Sequence, residues 1–342
     1  MFRKLRIPKQ VLLRRRSRAL QAEEKHGIIS ERSCVYFPAP PTGGNAARSS
    51  GGDFGMRVGL VLEGGAMRGM FTAGVLDVLM ENGICLDGAA GVSAGAVFGC
   101  NYKSHQIGRA IRYNKAYCGD RRYFSLSSWL RTGNLYNVSF GYHTLPRELD
   151  VFDQAAFAAD PMPFWVVCTD AETGKPVYHL CGDGGEEDVT WMRASASMPL
   201  AARPVEIGGR KLLDGGISDS IPLRFMERQG YERNIAVLTQ PPGFVKQKNG
   251  AIPLVRLALR AYPMVAETLK TRHLAYNETL RYVAESEAAG RTLVIRPPKA
   301  LGVGAVERDP DKLETVYRLG RTEAEKHLES IRQFIRSGRE AP

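Results

Sequence analysis

From Met56 onward the chain repeats one local pattern: a short apolar run, a glycine-rich turn, then apolar residues at helical spacing. Val58 to Leu62 is such a run, with the length and composition of a buried strand. The turn Glu63-Gly64-Gly65-Ala66-Met67-Arg68-Gly69 follows it. Phe71, Val75, Val78 and Leu79 then recur at helical spacing, and Gly83 sits where a helix would end. Residues 84–92 give a second short strand that stops at Ser93. Phe164 to Thr169, Ile235 to Leu238 and Leu293 to Ile295 read as further buried strands, with helix-period segments between several of them. This alternation predicts an α/β fold, a mostly parallel central sheet with helices on both faces.

The net charge of +11 raises the question of a nucleic-acid partner, and its distribution argues against one. Residues 1–56 hold eleven Lys or Arg against four Asp or Glu, and the remaining residues are close to balance at 36 against 32. No stretch of the body interleaves basic and aromatic residues as a nucleic-acid module does. Residues 1–55 join Arg14-Arg15-Arg16 to a stretch rich in Pro, Gly, Ser and Asn from Pro38 to Gly55. Such a composition buries no core and predicts a basic, disordered N-terminal extension. A basic arm touching a membrane is one reading of it. A native start at Met56, with an over-extended frame before it, is the other. Leu12 to Leu20 is too interrupted by arginine for a signal peptide. No window approaches the roughly 18–20 apolar residues that span a bilayer, so the expected location is cytoplasmic, at most peripheral at a membrane. The cysteines (Cys34, Cys85, Cys100, Cys118, Cys168 and Cys181) form no CxxC pair and have no His at metal spacing. Reduced, buried thiols are expected, with neither a disulfide framework nor a zinc site.

Three motifs carry chemistry. Gly91-Val92-Ser93-Ala94-Gly95 is a G-x-S-x-G at a strand-to-helix transition, where small neighbours let a sharp turn expose the serine hydroxyl. The loop from Glu63 to Gly69 leaves backbone N–H groups free to converge on an anion at a helix N-terminus, with Arg68 adding a charge. A dinucleotide fingerprint is its rival, with Asp87 as the ribose contact, but that pattern wants glycine where Ala66 stands. Asp214-Gly215-Gly216 follows the apolar pair Leu212-Leu213 and would by itself read as a turn.

Taken together, and in this order, the three resemble the patatin-like phospholipase family, bacterial members included. Cys168-Thr169-Asp170 with Gly174, and the run Ala194-Ser195-Ala196-Ser197-Met198-Pro199, are further matching pieces, so the resemblance covers about residues 56–240. It implies that Ser93 is the nucleophile and Asp214 its base. It also implies an oxyanion hole from Gly64, Gly65 and Ala66 assisted by Arg68, with Gly69, Gly91, Gly95, Gly215 and Gly216 supporting the motifs. Ala66 departs from the family loop, which has glycine there, and its methyl group bears on the loop's geometry. The implied substrate is a lipid or other ester, and no metal or cofactor is required.

An aspartate can act as the base directly if partial desolvation raises its pKa. The nearer rival is a Ser-His-Asp esterase that draws on His273 or His327. A non-catalytic nucleotide-binding module is the more distant one. Leu254 to Tyr282 reads as helix, and Asp309-Pro310 as the start of another. Leu313, Val316, Ala324, Leu328, Ile331 and Ile335 continue the apolar face of that second helix, with Gly320 as a break. The expected organisation is an extension over 1–55, a hydrolase core over 56–240 and a helical region over 241–342 packed on the same domain.

Overall fold

The structure is a computed structural model that describes residues 56–250 and 252–339. The expectations for residues 1–55 lie outside the described residues. Eight strands form one sheet: β1 (Val58–Leu62), β2 (Gly88–Val92), β3 (Phe164–Asp170), β4 (Pro176–Leu180), β5 (Val205–Ile207), β6 (Arg210–Asp214), β7 (Arg233–Val237) and β8 (Thr292–Ile295). The helices, in chain order, are α1 (Gly69–Glu81), α2 (Ala94–Lys103), α3 (Arg109–Tyr117), α4 (Leu126–Thr132), α5 (Gln154–Ala159), α6 (Glu186–Ser195), α7 (Leu223–Arg228), α8 (Ile252–Ala258), α9 (Pro263–Ala288) and α10 (Pro310–Arg339). A π-helical segment, Phe140–Leu149, lies between α4 and α5.

The spatial order is β5-β6-β3-β2-β1-β7-β8, with β4 also paired to β3. β3, β2, β1, β7 and β8 run parallel, while β4 and β6 are antiparallel to β3 and β5 is antiparallel to β6. The mostly parallel sheet predicted from the apolar runs is therefore present, with an antiparallel edge that those runs do not announce.

Because side chains alternate across a strand, β1 feeds two cores at once. Val58, Leu60 and Leu62 face α1, α2 and α10, and Val61 faces α7 and α9. Strand β7 does the same, with Ile235 and Val237 on the first side and Ala236 on the second. Helices thus cover both faces. On α1, Met70, Phe71, Val75, Leu76, Val78 and Leu79 are all buried. Each such side chain contributes about 1.5–3 kcal/mol of gross hydrophobic transfer.

Gly320 does not break its helix. α10 runs unbroken from Pro310 to Arg339, and Gly320 lies where it crosses α1. A Cβ on Gly320 would overlap the Phe71 carbonyl, and one on Gly74 the Tyr317 carbonyl. The two backbones approach too closely for any side chain, and this contact outweighs glycine's poor helix propensity of about 1 kcal/mol. The predicted apolar face of α10 is otherwise as read, with Leu313, Val316, Ala324, Ile331 and Ile335 buried. The stretch from Leu254 to Tyr282 is interrupted: α8 ends at Ala258 and α9 starts afresh with Pro263 in its first turn.

Cys100, Cys118, Cys168 and Cys181 are free and buried. Cys85 is disulfide-bonded, which corrects the reading of uniformly reduced thiols, and Cys34 lies outside the described residues. Among the described residues, no helix is long and apolar enough to cross a membrane.

Candidate active site

Strand β2 ends at Val92 and α2 starts at Ala94, so Ser93 alone makes the turn. Its backbone is at φ 55° and ψ −119°, a conformation in which a side chain is strained. Small neighbours make the turn fit. A Cβ on Gly91 would come within 2.6 Å of the Gly95 carbonyl, and Gly95 itself packs on the Leu62 backbone. The Ser93 N–H donates to Ser195 Oγ at 2.8 Å, and Ser195 in turn donates to the Val167 carbonyl at 2.5 Å.

Asp214 ends β6, in register with Cys168 of β3, and Thr169 Oγ1 donates to its carbonyl at 2.8 Å. The Ser93 hydroxyl donates to Asp214 Oδ2 at 2.7 Å. The Gly216 N–H, in the turn Gly215–Ile217, donates to Oδ1 at 2.7 Å. Both residues are buried. Burial pushes the Asp214 carboxyl above the usual aspartate range, and the Ser93 hydroxyl, the Gly216 N–H and the Arg272 charge each pull it part of the way back. Arg272, from α9, donates from Nε to the Gly216 carbonyl and from a terminal nitrogen to Ser220 Oγ at 3.3 Å.

The glycine loop lies over the elbow. A Cβ on Gly64 would come within 3.1 Å of Ser93 Cβ, so the loop reaches the serine only as bare backbone. The Glu63 carboxylate anchors it from beneath, accepting the Thr239 N–H at 2.6 Å and the Tyr276 hydroxyl at 2.5 Å. Among the described residues, no acceptor meets the N–H groups of Gly64, Gly65 or Ala66. Ala66 adopts φ 49°, the left-handed region that favours glycine, so its substitution for glycine is accommodated with strain. Arg68 closes a short 3-10 turn, with its Nε buried and without a hydrogen-bond partner among the described residues, and Gly69 opens α1.

A cavity of about 300 Å³ opens beside Ser93. Val97, Phe98, Tyr113, Tyr136 and Met198 make much of its wall apolar, and Tyr142 and Arg193 add polar groups. Burial pushes the Tyr142 hydroxyl up to about 12, with Arg193 pulling it down and Asp214 pushing it further up.

The rival assignments fare differently. The Ser93–Asp214 hydrogen bond is direct, with no imidazole in it. His327 is engaged with the Glu323 carbonyl on its own helix at 2.7 Å, and His273 Nδ1 is buried without a hydrogen-bond partner among the described residues. Asp87 lies at the opposite end of the sheet from the glycine loop, where its Oδ2 accepts the Val58 N–H at 2.7 Å. The ribose role is thereby lost. His179, Cys181 and Asp188 place ligand-type atoms within 4.8 Å of one another. There the Asp188 carboxylate is already bonded to His179 and to the Gly182 and Gly184 N–H groups.

Sequence reasoning did not single out Arg272, Arg193 or the Glu63–Tyr276 bond. Ser195 and Thr169 stood in the matching blocks without a role. A parallel sheet that presents a serine on a strand-to-helix elbow, with a carboxylate at its hydroxyl, is the frame of an α/β acyl hydrolase. The patatin-like phospholipase family profile matches residues 60–226, and a domain of unknown function, DUF6363, matches residues 262–336. The uncharacterized protein YjjU of Escherichia coli K12 is 30% identical over 270 residues, which cover 78% of this chain and 75% of YjjU. The uncharacterized NTE family protein Rv1063c of Mycobacterium tuberculosis is 30% identical over 201 residues, 59% of this chain and 52% of its own. Lysophospholipase NTE1 of Debaryomyces hansenii is 32% identical over 192 residues, 53% of this chain and 12% of its own. The chain belongs to the patatin-like phospholipase family and is a hydrolase of carboxylic ester bonds.

Proposed function

We propose that the chain hydrolyses acyl esters of lipids, phospholipids included, with Ser93 as nucleophile and Asp214 as its general base. The observation that carries this reading is the 2.7 Å hydrogen bond from the Ser93 hydroxyl to Asp214 Oδ2. Ser93 Oγ attacks the ester carbonyl as Asp214 takes its proton, and the carbonyl oxygen becomes an oxyanion. Gly64, Gly65 and Ala66 offer it N–H groups that no acceptor uses among the described residues, with the Arg68 charge nearby. Asp214 returns the proton to the leaving alkoxide. A water, deprotonated by Asp214 in its turn, then attacks the acyl carbonyl, and Asp214 passes that proton to Ser93 Oγ as the Ser93–acyl bond breaks. Burial raises the pKa of Asp214, which suits this double duty, because a carboxylate that holds its proton more firmly is the stronger base.

The cavity beside Ser93 accepts the acyl chain, as its apolar wall supports. Residues 56–240 constitute the hydrolase core in this reading, and residues 241–342 support it from the same domain through Arg272, Tyr276 and α10. Peripheral contact with a membrane would bring lipid to the cavity. The test is hydrolysis of p-nitrophenyl esters of increasing chain length, then of phospholipids, joined to labelling with a fluorophosphonate probe. Label on Ser93 and chain-length-dependent turnover are expected. A protein that neither labels nor turns over any ester overturns the reading.

A further inference from the structure

Ser93 stands at the head of α2, and that helix forms one wall of the cavity beside it. Of its residues Ala94, Val97 and Phe98 line the cavity, and none beyond Phe98 does. At a rise of about 1.5 Å per residue, Phe98 lies about 7.5 Å along the helix from Ser93. Tyr113 of α3 completes a floor there, its ring centroid 6.5 Å from that of Phe98 and the two rings tilted by 53°. The two ends of the cavity differ. Phe98 and Tyr113 are 4% and 5% exposed, whereas Met198 at the rim is 41% exposed. The released alcohol leaves through the open rim, so the apolar acyl chain points toward the buried end.

The floor is fixed from behind. A Cβ on Gly69 would come within 2.8 Å of the Phe98 ring, so the ring rests on the backbone at the start of α1. The Arg109 guanidinium, itself buried, stands 5.4 Å from the centre of the Tyr113 ring. It donates to the Asp150 carbonyl at 2.8 Å and to Asn101 Oδ1 at 3.0 Å. A chain longer than the cavity thus meets a packed backbone or a charged layer, and a close-packed interior takes extra methylenes only at a cost. Three bonds of an extended chain span about 3.3–3.6 Å, so the ~7.5 Å from Ser93 to Phe98 takes roughly six to seven bonds.

We propose that Phe98 and Tyr113 act as an acyl-length ruler, which limits the enzyme to esters of short and medium chains, up to about eight carbons. The proposal rests on the hydrolase reading and names the substrate class within it.

The experiment compares kcat/KM for p-nitrophenyl hexanoate and p-nitrophenyl dodecanoate, each below its aggregation concentration. Wild-type enzyme is expected to favour the hexanoate at least tenfold. Phe98→Ala should lower that preference at least tenfold, and Phe98→Leu and Tyr113→Leu should each lower it in part. Val97→Phe, which narrows the cavity, should favour the butyrate ester over the hexanoate. A wild-type ratio near one, or a ratio unchanged in the Phe98 and Tyr113 variants, overturns the ruler while leaving the hydrolase reading intact. Calorimetric binding of the free fatty acids needs no turnover and so separates the two failures in the other direction. Wild-type affinity should rise from butyrate to octanoate and then level off, and in Phe98→Ala it should keep rising to dodecanoate. A wild-type rise that continues to dodecanoate, or no binding, overturns the ruler. Thermal unfolding shows which variants keep the fold, and Phe98→Leu carries the test if Phe98→Ala does not.

Discussion

Ser195 Oγ accepts the backbone N–H of Ser93 at 2.8 Å and donates its own hydroxyl to the Val167 carbonyl. The strained elbow is therefore held by a side chain from α6, and the Ser93 N–H is unavailable to an oxyanion. Replacing Ser195 with alanine leaves that buried N–H without a partner, which costs about 1–3 kcal/mol. Ser195→Ala should lower the melting temperature and reduce ester turnover about tenfold or more. Turnover and stability both equal to wild type would show that the elbow holds itself.

Ser93→Ala removes one hydroxyl from a turn whose neighbours already fit a small residue. Ester hydrolysis should vanish and fluorophosphonate labelling with it, while circular dichroism and melting temperature stay near wild type. Activity kept within tenfold of wild type would remove Ser93 from the mechanism.

Asp214→Asn should cost several orders of magnitude in kcat, whereas His273→Ala and His327→Ala should cost less than fivefold. A loss at either histidine as large as that at Asp214 would favour a triad. The same substitution has a stability signature. A carboxyl whose folded pKa lies above its unfolded value supports folding at low pH, and that support fades as pH rises through the folded value. Asp214→Asn should therefore melt higher than wild type at pH 7, and the difference should close below the ordinary aspartate value of 3.8.

The acid limb of the pH–rate profile should lie above that ordinary value, because Asp214 must be ionised to act as a base. The Arg272 charge opposes the effect of burial. Arg272→Gln should consequently move the limb to higher pH and lower kcat, with KM changed less. A limb that stays in place while kcat falls would make Arg272 a purely structural support for the Gly216 turn.

At Ala66, φ 49° costs about 1–2 kcal/mol relative to a relaxed backbone. Glycine relieves that strain and gives back about 0.5–1 kcal/mol through its freer unfolded chain. Ala66→Gly should thus stabilise the enzyme by about 1 kcal/mol, near 2 °C in melting temperature, with turnover within about fivefold of wild type. A lower melting temperature would mean that the methyl group is held by packing worth more than the strain.

What could be read in advance follows from how local each feature is. β1, β2, β3, β7 and β8 are apolar runs bounded by turns, and parallel strands buried on both faces must look that way. The antiparallel edge is different: Pro176–Leu180 is exposed or half-buried along its length, and Arg210-Lys211 opens β6 with two charges. Ser93 and Asp214 were legible because their turns impose glycines at fixed spacing. Arg272 and Arg193 were not, because each reaches the site from a helix whose placement no short window of sequence specifies. Gly320 misled for the opposite reason, since its local cost is offset by a contact with Phe71 far back along the chain.

The pairing of α10 with α1 also sets the order of events on the ribosome. Tyr317 donates to Asp77 at 2.6 Å across a separation of 240 residues. At a synthesis rate of about 5–20 residues per second, the apolar face of α1 waits roughly 10–50 s for its cover. During that interval the nascent sheet has one open flank, and the elbow of Ser93 rests on helices not yet sealed. The cover of α1 is thus a late acquisition of the growing chain, supplied by a helix made long after the one it folds back over.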